Sequence, residues 1–232
     1  MSEAKTHLES ILSRIRAAAS AAGRAASDIR LVAVSKTHPA GAVREAFEAG
    51  QLVFGESRVQ EALEKIPLLP SAIEWHHIGH LQSNKIRRAL PHFRLFHGVD
   101  RRDLAVQMDR IAADGGCSAR VLLEVNTSGE ATKFGFSPEA LRSCLPEILA
   151  LPRVEVAGLM TMAPYAEDPQ ASRPYFSALR QLRDRLEPEF GVRLPELSMG
   201  MSGDFEAAIA EGSTIVRVGT AIFGTRPAIK DS

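Results

Sequence analysis

Lys36 closes the run Leu31-Val32-Ala33-Val34-Ser35 and is followed by Thr37-His38-Pro39. An amine desolvated by apolar neighbours loses its proton more readily and can attack a carbonyl to form a Schiff base. A lysine at the carboxyl end of a buried strand, just ahead of a helix, stands where parallel α/β folds keep their chemistry. The same spacing also suits a strand-end lysine that reaches solvent.

Two further segments supply the other half of a site. Leu197-Ser198-Met199-Gly200-Met201-Ser202-Gly203 and Val216-Arg217-Val218-Gly219-Thr220-Ala221 each end an apolar run. Gly200, Gly203 and Gly219 let the backbone approach an anion, and the Ser202 and Thr220 hydroxyls can donate to phosphate oxygens. Ordinary turn glycines and a serine helix cap are the competing reading. Arg217 lies inside an apolar strand, where an unpaired charge is very costly. Its partner is either a carboxylate of the fold, Glu56 or Glu124, or a ligand heteroatom. A Schiff-base lysine, a phosphate cradle and a buried arginine together suggest pyridoxal 5′-phosphate (PLP). An arginine at the ring nitrogen keeps the pyridine neutral and weakens it as an electron sink.

The segment from Trp75 to Lys85 holds His76, His77 and His80. Gly79 falls at a strand end, so the three need not converge, and no carboxylate or cysteine stands at ligand spacing; no metal is expected. His76 is expected to point into the fold near the ring. Asn126 and Lys133 end the fifth strand and begin its loop, with Lys133 either a second amine near the cofactor or a surface lysine.

The elements that must position these residues are legible as apolar runs near 31–36, 51–54, 74–78, 94–99, 119–126, 154–160, 195–199 and 215–219. Helical stretches separate them. Pro39 suits a first helical position and Gly50 a helix end; Ser57 with Gln60 has capping-box spacing; Ser137-Pro138 and Ser202 read as helix starts and Gly212 as a stop. Strands and helices alternating through 232 residues predict a single (β/α)8 TIM-type barrel domain, residues 1–232. An open doubly wound sheet is the alternative, weakened by the missing dinucleotide glycine fingerprint. The N-terminal stretch is rich in Ala, Ser and Arg, but Glu3, Glu9 and the stripe Leu8, Ile11, Leu12 and Ile15 make it an extra N-terminal helix rather than a transit peptide.

Lys plus Arg equals Asp plus Glu at 28 each, so no global basic field attracts nucleic acid. Lys85, Arg87 and Arg88 read as a solvated helix face. Cys117 and Cys144 form no CxxC pair, which points to a reducing, cytoplasmic setting without disulfides. No run is long enough to span a membrane.

Leu31–Lys36, Phe54-Gly55-Glu56 with Val59-Gln60-Glu61, Trp75-His76 with Ile78-Gly79 and Leu81–Lys85, Gly158-Leu159-Met160, Leu197–Ser202 and Val216–Gly224 occur in order along nearly the whole chain. In these motifs the sequence resembles the pyridoxal-phosphate homeostasis proteins (the YggS/PROSC group). The resemblance implies a PLP barrel related to the N-terminal domain of alanine racemase, with Lys36 as the Schiff-base lysine. It implies Arg217 at the ring nitrogen and Ser202, Gly219 and Thr220 around the phosphate. Gly200, His76, Ser57, Asn126 and Lys133 complete the expected cofactor-binding set. The chain departs from the family at Ser57-Arg58, often Asn-Tyr, at His77 and His80, commonly Phe and Pro, and at His38, frequently Lys.

Two activities compete. A racemase needs a base on each face of the cofactor. Relatives of that class use a tyrosine and a further C-terminal domain, for which the residues after the eighth strand leave no room. Only Tyr165 and Tyr175 are present. The expected function is therefore PLP binding in intracellular vitamin B6 homeostasis without robust turnover, by a monomer whose partners are PLP and apo PLP-dependent enzymes. A PLP-dependent amino-acid racemase is the alternative.

Overall fold

The computed structural model of the protein describes residues 3–130 and 132–224. Among these, strands β1 (Arg30–Val34), β2 (Val53–Glu56), β3 (Glu74–His77), β4 (Leu95–Val99), β5 (Ala119–Glu124), β6 (Val154–Met160), β7 (Glu196–Ser198) and β8 (Ile215–Val218) pair in sequence order. All pairs are parallel, and β8 closes on β1 with Arg30 opposite Ile215 and Ala33 opposite Val218. The expected eight-stranded barrel forms, and an open sheet is excluded.

Period-two alternation gives every strand two buried faces. On β1, Leu31 and Ala33 join the large apolar cluster between strands and helices. Val32 faces inward with Leu95, Leu122, Ala157, Met160 and Ile215. Continuing the alternation puts Val34 and Lys36 on the inward side, at the carboxyl end of the barrel.

The surrounding helices include α1 (Glu3–Ala21), α2 (Ala40–Glu48), α3 (Val59–Lys65), α4 (Ile86–Ala89), α5 (Arg102–Asp114), α6 (Pro138–Leu149), α7 (Arg173–Phe190), α8 (Phe205–Ala210) and α9 (Thr220–Phe223). The extra helix α1 buries Leu8, Ile11, Ile15 and Ala19 and packs on α2, α8 and α9. Ser137 caps α6 by accepting the Ala140 amide at 3.1 Å.

Three local expectations are corrected. β2 runs on through Glu56, two residues beyond the apolar run, because Glu56 is buried with charged partners. That leaves Ser57 in the bend, too early to cap α3; Arg58 holds the cap position and Gln60 reaches Glu64 instead, at 2.9 Å. Pro39 is the residue before α2, not its first. Asp204, not Ser202, holds the cap position of α8, and its carboxylate takes the Met201 amide at 2.7 Å.

Gly158 sits where β6 and β7 approach most closely: a Cβ there would stand 1.9 Å from the Glu196 carbonyl oxygen. Gly158→Ala should therefore cost about 3 kcal/mol or more of unfolding free energy, a core overpacking effect at the upper end of its range. Gly41→Ala, in α2 with open space around it, should stabilise by about 0.5–1 kcal/mol. Urea unfolding of the two variants checks the pair, and equal effects would contradict the close approach.

Candidate functional site

A cavity of about 610 Å³ opens at the carboxyl-terminal mouth of the barrel, a size usual for small-molecule and cofactor sites. Lys36 from the end of β1, Asn126 and Lys133 from the β5–α6 loop, Ser202 from the β7–α8 loop and Arg217, Gly219 and Thr220 from β8 and its loop all line it. Seven residues separated by up to 184 positions in the chain (Lys36 to Thr220) thus meet in one place. Gly200, Ser57 and His76 do not line it. Gly200, at φ 93, lets β7 turn against α8, where a Cβ would stand 2.6 Å from that of Ala208. Ser57 packs its backbone on Gly79.

At one end of the cavity the Gly219 amide donates to Ser202 Oγ at 3.2 Å, tying the two glycine-bearing loops together. The Ser202 hydroxyl proton is then directed elsewhere, so Ser202 and Thr220 offer hydroxyl donors and Gly203 an unobstructed backbone. Lys36 and Arg217 add positive charge. This donor set fits a phosphate-bearing aldehyde with an aromatic nitrogen, which is the chemistry of PLP.

Arg217 is buried and donates to Ser198 Oγ and, at 3.1 Å, to the Thr161 carbonyl. The Ser198 hydroxyl also meets His97 Nδ1, 2.8 Å away, and with both histidines neutral the ionised Glu74 at the other end of the chain, which only accepts, makes Ser198 the donor there. His97 then carries its proton on Nε2 and donates to His76 Nδ1 at 3.0 Å. His76 in turn donates from Nε2 to Glu74 Oε1 at 2.8 Å. One donor direction runs from Arg217 through the barrel interior to a partly exposed carboxylate at the far end. Burial holds His97 well below the usual histidine value and lowers His76, so both stay neutral as the chain requires. The hydrogen bond from His76 lowers the Glu74 carboxyl and keeps it ionised. Burial also pulls Arg217 down to about 10, opposed by Glu124 and Asp204.

His76 therefore faces inward as expected but one layer below the cavity. Glu74, His97 and Ser198 escaped sequence reading; their signal was a polar residue on the inward face of an otherwise apolar strand. Of the two carboxylates considered for Arg217, Glu56 lies outside the barrel and pairs with Lys65 at 2.9 Å. Glu124 lines the cavity. Burial raises its carboxyl to about 7, with Asp100 adding to the rise and Arg217 opposing it.

The remaining residues divide by role. Asn126 holds its loop, accepting from Ser128 Oγ and the Gly129 amide at 3.0 Å and donating to the Glu130 carbonyl at 2.8 Å. Lys133 pairs with Glu130 at 3.1 Å. His77 points outward, edge-on to Phe93, and burial lowers it to about 4. His80 stands at the mouth, bonded to Asp100 at 2.7 Å and stacked on Phe134. The three histidines face three directions.

The family model "Alanine racemase, N-terminal domain" matches residues 6–227. The pyridoxal phosphate homeostasis protein of Aquifex aeolicus is 47% identical over 220 residues, covering 94% of this chain and 96% of that protein. The protein of the same name from Vibrio cholerae is 42% identical over 231 residues, covering 97% and 98%. The solved structure of PipY from Synechococcus elongatus with PLP bound superposes with a TM-score of 0.79 at 43% identity, covering 85% of this chain and 93% of PipY.

Glu124 binds its proton more tightly folded, near 7, than at its ordinary 4.5. Its contribution is fully present below about pH 4.5 and is lost as pH rises through 7. Glu124→Gln should gain on the wild type across that window by up to about 3 kcal/mol. Urea unfolding of cofactor-free protein at a series of pH values reads this directly; a difference that stays flat from pH 4.5 to 7.5 contradicts it.

Proposed function

The chain belongs to the pyridoxal phosphate homeostasis protein family, and we propose that it holds PLP at the barrel mouth for intracellular vitamin B6 balance rather than turning over an amino acid. The observation that carries this reading is the convergence of Lys36 and Arg217, from adjacent strands β1 and β8, on the cavity edged by the Ser202–Gly219 link. The PLP-bound PipY structure supports it.

When bound, the cofactor supplies an aldehyde that condenses with an amine and a conjugated ring that can accept electrons. Lys36 is the anchoring amine in this reading. Ser202 and Thr220 hold the phosphate by their hydroxyls, and Gly219, tied to Ser202, keeps the two loops together around it. Arg217 faces the ring nitrogen as a donor that gives up no proton, so the ring stays neutral.

Glu124 and Lys133 share the cavity with Lys36, so the carrier reading turns on the tyrosine that a racemase of this class would need. Tyr165 is 94% exposed at the rim, and Tyr175 packs on the outer apolar cluster. Tyr165 lines the cavity, but at that exposure no packing fixes it as the second base a racemase would need. An open mouth also admits water, which weakens electrostatic preorganisation. The proposal extends to a cytoplasmic, monomeric, single-domain carrier that passes the cofactor to apo-enzymes.

PLP-loaded protein in heavy water, offered common L- and D-amino acids, should exchange α-protons no faster than free PLP. Its visible absorbance should need Lys36 and be absent from Lys36→Ala. Exchange or chiral inversion that disappears in Lys36→Ala would make the protein an enzyme and overturn the carrier reading.

A further inference from the structure

The residues on both sides of Lys36 are gripped from the outer face of β1. Ser35 Oγ donates to Glu56 Oε1 at 2.7 Å, and the Ser35 carbonyl accepts from Lys65 Nζ at 2.9 Å. The Thr37 amide donates to Glu61 Oε1 at 2.5 Å. Lys65 Nζ completes the cluster with Glu56 Oε1 at 2.9 Å and Glu61 Oε1 at 2.6 Å, so its three donors match three acceptors. Lys65 is 8% exposed and Glu56 not at all.

Two features say that this cluster serves more than stability. Buried ion pairs are weak stabilisers, because desolvation offsets most of their attraction. Here burial pushes the Glu56 carboxyl up against the pull of Lys65 and Ser35, and Glu56 Oε2 has no hydrogen-bond partner among the described residues. Second, Thr37 has φ 67, the only non-glycine residue with positive φ among those described. A β-branched residue in that region is strained, and such strain persists where the surroundings hold it in place.

We propose that Glu56, Glu61 and Lys65 are positioning residues that lock the Ser35–Thr37 turn and so aim the Lys36 amine at the aldehyde of the cofactor. The inference rests on the reading of Lys36 as the anchor. It gives a role to the segment Glu56–Lys65, which touches neither the cavity nor the phosphate end.

The test compares PLP with pyridoxine 5′-phosphate, which carries an alcohol in place of the aldehyde. Glu61→Ala should weaken Lys36-dependent PLP binding about tenfold, equivalent to about 1.4 kcal/mol, and leave pyridoxine 5′-phosphate affinity unchanged. Adding Thr37→Gly, which adopts positive φ without strain, should recover much of the loss. Equal weakening of both ligands, or no weakening of either, overturns the inference. So does a double variant as weak as Glu61→Ala alone. A wild-type protein whose PLP absorbance does not need Lys36 instead overturns the reading on which the inference rests.

Discussion

A guanidinium buried inside a barrel is the constraint on which the rest of this structure depends. Arg217 keeps its charge at neutral pH and is only 4% exposed, so the interior must supply most of its acceptors. It does so with Ser198 and the Thr161 carbonyl. A chain of bonds then runs through His97 and His76 to Glu74, whose carboxylate only accepts and so fixes both histidine tautomers. An arginine at one end and a carboxylate at the other leave one self-consistent proton arrangement. The layer beneath the cavity is therefore rigid and polar where a purely apolar barrel would offer only packing.

The same strand pairing brings the two chemical ends together. β8 lies beside β1, so Arg217 and Lys36 reach one cavity although they are far apart in sequence. β1 is used on both faces. Its inward side carries Val32, Val34 and Lys36, while its outward side meets the apolar shell and, at Ser35, the charged cluster of Glu56, Glu61 and Lys65. A strand whose end residues alternate between cavity and clamp can present one amine at a defined angle.

Much of this was legible in the sequence, for a physical reason. Parallel strands buried on both faces leave continuous apolar runs, and the eight runs marked the eight strands to within a few residues. Lys36, Arg217, Ser202, Gly219 and Thr220 were legible because charge and glycine are conspicuous at the ends of such runs. The polar chain was not, because Glu74, His97 and Ser198 acquire meaning only once the barrel closes and stacks them by layer. Ser57 and Gln60 misled because capping-box spacing is local, whereas the end of β2 is set by the burial of Glu56. His77 and His80 looked alike in sequence, yet Gly79 lies between them and sends one outward and the other to the mouth.

The central claim is that Lys36, and no other amine of the cavity, anchors the cofactor. Borohydride reduction of PLP-loaded protein, followed by peptide mass mapping, tests it most directly, since Lys133 lines the same cavity as an internal competitor. The account predicts the reduced pyridoxyl group on the peptide containing Lys36 at one equivalent or less of PLP. Label on Lys133 instead, or spread evenly over both, would contradict it.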